Sequence, residues 1–97
     1  MNLLTDKYKL QIDQICKEEG INRLFVFGSQ ARGDTKTDSD VDLLVEFNET
    51  PGLFEFVGIK QRFEELFEKD VDLVTERGLS KYIAPYIKSD LKIIYGQ

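Results

Sequence analysis

Asp40 and Asp42 stand two residues apart in an alternating stretch, Asp40-Val41-Asp42-Leu43-Leu44-Val45-Glu46-Phe47. On a strand, that spacing puts both carboxylates on one face, roughly 6–7 Å apart. Two like charges so placed repel unless something neutralises them. An isolated Asp-x-Asp is commonly just a solvated strand face; the alternative is a clamp for divalent metal. Asp72 favours the clamp, because Val71-Asp72-Leu73-Val74 has the same texture as Val41-Asp42-Leu43-Leu44. An acid interrupting an apolar run is costly unless it has a partner. If the two strands are neighbours, three carboxylates converge, a geometry suited to two Mg²⁺ ions and to phosphoryl or nucleotidyl transfer.

A second set of residues lies upstream. Leu24-Phe25-Val26-Phe27 reads as a buried strand, and Gly28-Ser29 follows it at once. Glycine lets a backbone approach a phosphate, the serine hydroxyl can donate to it, and a following helix N-terminus favours negative charge. Arg32 offers a planar fork for phosphate oxygens. Taken singly, a Gly-Ser turn is usually structural and an arginine usually a surface residue.

Composition narrows the chemistry. The chain has no histidine, which excludes a histidine base, a histidine-bound zinc or a Ser-His triad. A single cysteine, Cys16, excludes an internal disulfide or a cysteine metal cluster and is expected to pack on the first helix. Any metal site must use oxygen ligands and select hard cations. Thirteen Lys and Arg against 18 Asp and Glu give a net charge of -5, a poor match for a grip on long nucleic acid. Between Asp34 and Glu55 there are seven acids and one base, Lys36, so this window carries the negative excess. Neither a signal peptide nor a membrane span is legible, and a cytoplasmic protein is expected.

The elements that must position these residues follow from periodicity. Ninety-seven residues allow one domain, spanning 1–97. Thr5 is expected to cap a helix to about Glu18, with Tyr8, Ile12, Ile15 and Cys16 on one face and Gly20 as its stop. Residues 28–37 are expected to form a loop running into a short helix. In the strand 40–47, Leu44 and Glu46 fall on the aspartate face, with Val41, Leu43, Val45 and Phe47 opposite. Pro51-Gly52 marks a turn, and a helix is predicted from Leu53 to about Glu68. Phe54, Ile59 and Tyr82 are expected in the core. Val71–Thr75 reads as a strand, and Ser80 opens a helix shortened or kinked by Pro85. Leu91–Tyr95 fits a closing strand or more helix. The alternation implies an α+β fold in which helices flank a small mixed β-sheet.

The stretch GSQARGDTKTDSDVDLLV, with ten residues between Ser29 and Asp40, closely resembles the signature of the polymerase-beta nucleotidyltransferase superfamily. Its small size and GSxARG…SDxDL form resemble the minimal nucleotidyltransferase family. The resemblance implies the polymerase-beta-like nucleotidyltransferase fold. It implies that Asp40, Asp42 and Asp72 hold two Mg²⁺ ions, with Asp72 placed to accept the attacking hydroxyl's proton. Gly28, Ser29 and Arg32 would bind a nucleoside triphosphate, ATP in the leading reading. Asp34, Asp38 and Asp70 match no required position.

Stand-alone members of this family are typically paired with a helical HEPN-domain toxin. The resemblance therefore implies a protein adenylyltransferase that attaches AMP to a hydroxyl of its partner, a tyrosine for preference, and so acts as antitoxin. Two other readings stay open. One is a module that neutralises its partner by occlusion without catalysis; the other is a small-molecule nucleotidyltransferase that uses a second helical chain.

Overall fold

The computed structural model describes residues 8–27, 41–75 and 91–96. The first helix, α1, covers Lys9–Glu18 and buries Ile12, Ile15 and Cys16, the expected face. Its exposed side carries two i,i+4 pairs, Lys9–Asp13 at 2.9 Å and Gln14–Glu18 at 3.2 Å. Glu19 donates its N–H to the Ile15 carbonyl, and Gly20 follows at φ +70°, a left-handed stop that glycine adopts without strain. Thr5, expected as the cap, lies outside the described residues. Tyr8 precedes the helix, its carbonyl accepts the Ile12 N–H at 2.9 Å, and its ring packs edge-on against Phe67, centroids 5.6 Å apart.

Strand β1, Ile21–Phe27, is three residues longer than its apolar run suggested. Its polar start is retained because Asn22 and Arg23 both find Glu46 across the pair with β2, Val41–Phe47. Helix α2, Leu53–Phe67, then crosses over to β3, Val71–Thr75. The undecided C-terminal segment is a strand, β4, Lys92–Tyr95, antiparallel to β1. It ends at Gly96, φ +82°, where any Cβ would collide with the Asn22 carbonyl oxygen. The sheet order is β3-β2-β1-β4; β2 pairs antiparallel with β1 and parallel with β3. The predicted small mixed sheet with helices is therefore the architecture observed. The helices expected within 28–37 and from Ser80, with Tyr82 and Pro85, lie outside the described residues.

One face of the sheet is covered by both described helices. Ile12, Ile15, Cys16, Ile59, Phe63 and Phe67 pack there against Leu24, Val26, Val41, Leu43, Val45, Val71 and Leu73. Arg62 ties the helices together through Glu18 at 2.7 Å and Glu19 at 2.8 Å. The opposite face carries a smaller cluster, Phe27 and Leu44 with Phe25, Val74 and Leu91.

Leu44 lies on the aspartate face, as expected, and is only 4% exposed, with Phe27 of the neighbouring strand packed against it. One expectation needs correction. Phe54, expected in the core, is 92% exposed. The buried stripe of α2 is Ile59, Phe63 and Phe67 at i, i+4 and i+8; in the first turn Phe56 packs on Phe47, while Leu53 and Phe54 are uncovered. Ile59 is buried, as expected.

Candidate active site

Asp42 and Asp72 are the second residues of β2 and β3, and the parallel register pairs them directly. The same register pairs Val41 with Val71 and Leu43 with Leu73, all buried on the helix side. Alternation therefore sends both carboxylates to the opposite face. Neighbouring strands lie about 4.8 Å apart, so the two acids are side by side. Phe27 pairs with Asp42 from the other flank, which completes a row Phe27–Asp42–Asp72 across three strands. Asp42 is half-buried in the central part of this row, while Asp72 is exposed on the edge strand. Like charges in register are mutually repulsive, so something else must hold the strands there.

Apolar anchoring and two polar contacts do so. The Val41 N–H donates to the Asp70 carbonyl at 3.0 Å, which gives Asp70 a backbone role. The Val71 N–H donates to Glu64 Oε2 at 3.2 Å, and Lys60 Nζ donates to the same oxygen at 3.0 Å. The Lys60 ammonium first, then the Val71 N–H, hold the Glu64 carboxyl below the usual carboxylate range. Glu64 had no sequence signal, since the group it serves is a backbone N–H that only the fold brings to it. Phe27 was read as a buried strand residue and not as the neighbour of Asp42.

Asp40 immediately precedes β2, and Gly28 and Ser29 immediately follow β1; these three and Arg32 lie outside the described residues. Phe27 and Val41, which bracket segment 28–40, both stand at the Asp42 end of the sheet.

The acidic window of the sequence separates into different uses. Glu46 sits further along the Asp42 face and is held bidentately by Arg23, at 2.8 Å and 2.6 Å. Glu55 accepts the Gly52 N–H at 3.4 Å at the start of α2. Cys16 lies on the helix side, away from the carboxylates. Burial pushes its thiol up to about 12, so it is an inert packing group. Among the described residues no group of three His, Cys, Asp or Glu converges; the described part of the predicted triad is the Asp42–Asp72 pair. No described helix is long and apolar enough to cross a membrane.

A strand-borne carboxylate pair is by itself a general device. The nucleotidyltransferase domain family matches residues 9–94. This chain belongs to that family. The expectation of a nucleotidyltransferase enzyme is borne out at the family level.

Protein adenylyltransferase MntA of Thermococcus cleftensis is 45% identical over 65 residues, 67% of this chain and 66% of that protein. A solved structure described as a candidate minimal nucleotidyltransferase is 35% identical, with a TM-score of 0.78 and 95% of each chain covered. The fold is also shared with a Shewanella oneidensis structure of a tri-AMPylated HEPN toxin in complex with an MNT antitoxin. There the TM-score is 0.72 at 19% identity, with 96% of this chain and 73% of that chain covered.

Proposed function

We propose that residues 1–97 form a single minimal nucleotidyltransferase domain that transfers AMP from ATP to a hydroxyl of a HEPN-domain toxin, and so acts as its antitoxin. The observation that carries this reading is the direct pairing of Asp42 with Asp72 on one open face, in a chain of this family. The similarity to a protein adenylyltransferase and the fold shared with an antitoxin bound to a modified toxin support the donor and the partner class. The preferred acceptor is a tyrosine, the setting cytoplasmic, and neither a nucleic acid polymer nor a membrane is involved.

The donor set fits Mg²⁺. Asp42 and Asp72 offer adjacent carboxylate oxygens on one face, the ligand chemistry that hard divalent cations take. Asp40, two residues before Asp42, is the third proposed ligand of two ions. Bound Mg²⁺ would neutralise phosphate charge and acidify the acceptor hydroxyl.

The chain's own residues do the rest. Gly28 and Ser29 bind the triphosphate where the chain leaves β1, and Arg32 contacts its phosphates. Asp72, exposed on the edge strand, faces an incoming acceptor and takes the proton of its hydroxyl. The acceptor oxygen bonds to the α-phosphorus as the bond to the bridging oxygen breaks. The products are an AMP ester and pyrophosphate. Catalysis of this kind rests on positioning and charge neutralisation, for which no histidine is required.

The test is incubation of the chain with ATP labelled at the α-phosphate, Mg²⁺ and the helical protein encoded by the neighbouring gene. Label is expected on the partner's tyrosine. A partner that binds and is neutralised without acquiring label would contradict transfer and favour occlusion.

A further inference from the structure

We propose that Glu64 is a positioning residue that fixes the spacing of Asp72 from Asp42 through the backbone of β3; this rests on the metal-binding reading of that pair. The ladder to β2 and the buried Val71 and Leu73 hold the strand to the sheet, and Glu64 adds a contact at the residue just ahead of Asp72. Among the described strands β3 is an edge strand, paired with β2, and three residues, 68–70, separate it from α2. Its first residue, Val71, is 2% exposed, and its N–H finds its acceptor in Glu64 Oε2 at 3.2 Å. The residue before it supplies the carbonyl that receives Val41 N–H at 3.0 Å. Both strands are therefore clasped one residue ahead of their aspartates, β2 by Asp70 and β3 by a side chain of the preceding helix.

The clasp has a force to resist. Carboxylates paired in register repel, and among the described strands β3 is the outer member of the pair. Glu64 sits one turn before the end of α2, on a helix anchored in the core by Ile59, Phe63 and Phe67. It transmits that rigidity to β3. Without it, the Val71 N–H loses its protein acceptor and Asp72 is left to settle away from Asp42. A pre-arranged oxygen pair then becomes one that the cation must assemble, which weakens cation binding. Loss of such supporting contacts typically costs about tenfold or more in metal affinity.

The test uses the full chain and Mn²⁺ alone, with free Mn²⁺ followed by electron paramagnetic resonance and melting temperature recorded for each protein. Glu64→Ala is expected to raise the Mn²⁺ dissociation constant about tenfold. Glu64→Gln keeps a carbonyl oxygen for Val71 N–H and is expected to stay within about twofold of wild type. Arg62→Ala, which removes the contacts to Glu18 and Glu19 and leaves the strands untouched, is expected to lower the melting temperature without changing Mn²⁺ affinity. Equal Mn²⁺ affinity in wild type and Glu64→Ala overturns the role of Glu64. So does an Arg62→Ala protein weakened to the same extent. If wild type itself binds no Mn²⁺, the carboxylate pair is not a metal site, and that more basic failure is separately visible.

Discussion

Replacing Asp42 with asparagine is expected to reduce nucleotide transfer by at least about a hundredfold while the chain stays folded. The substitution keeps the shape of the side chain and removes its charge, so the packing of Val41, Leu43 and Val45 on the other face is untouched. What is lost is one of two adjacent anionic oxygen donors. Metal-assisted charge stabilisation is worth several kcal/mol in a transition state, and each 1.4 kcal/mol is about tenfold in rate. The measurement is label transfer from ATP, paired with a thermal melt with and without Mg²⁺ and ATP. A ligand at a hundred times its dissociation constant stabilises a protein by about 2.7 kcal/mol, and the variant is expected to lose that gain. An Asp42→Asn protein that transfers label within a few-fold of wild type would show that the pair is only a solvated strand face.

The largest expected effect on stability falls on the other side of the sheet. Phe63 is fully buried, stacked on Phe67 at a centroid distance of 6.1 Å, in the cluster that joins α1, α2 and the sheet. Phe63→Ala is expected to cost about 3–5 kcal/mol, through lost transfer energy and the cavity left behind. Domains of this kind are stable by only about 5–15 kcal/mol, so the substitution takes a large share. Phe54→Ala, on the same helix but 92% exposed, is expected to change stability by no more than about 0.5 kcal/mol. Urea unfolding of the two variants reads the contrast directly. Equal midpoints would mean that the burial assigned to α2 is wrong.

That contrast marks where the sequence was legible. The period-2 runs match β3 at both bounds and cover all of β2, because both pack apolar residues at alternate positions on a helix-covered face. The same alternation placed Asp42 and Asp72 on matching sides of their strands, and only their register had to be supplied by the fold. The first turn of α2 misled, because Leu53 and Phe54 carry the helical apolar period without reaching the sheet. Leu44 falls on the aspartate face as its alternation predicts, and its burial there comes from a strand neighbour, Phe27. Glu64 was illegible altogether. A side chain that serves a backbone N–H seven residues away leaves no pattern in composition or spacing.

The negative charge of the chain also takes on a structure. Glu46 is spent on Arg23 and Asn22, and Glu55 on the start of α2; Asp42 alone of these window residues stands in the carboxylate row. Asp72 joins that row from outside the window, 30 residues later in the chain. The parallel pairing of β2 and β3 thus brings a carboxylate from outside the acidic window beside Asp42.

The pairing of β2 and β3 is proposed to build a divalent-metal site. Its most direct measurement is a crystal structure of the chain grown with Mn²⁺ and a non-hydrolysable ATP analogue, with anomalous scattering recorded for manganese. An anomalous peak is expected bonded to carboxylate oxygens of both Asp42 and Asp72, with the triphosphate beside it. A nucleotide bound with manganese held elsewhere, or a peak that touches neither aspartate, would contradict it.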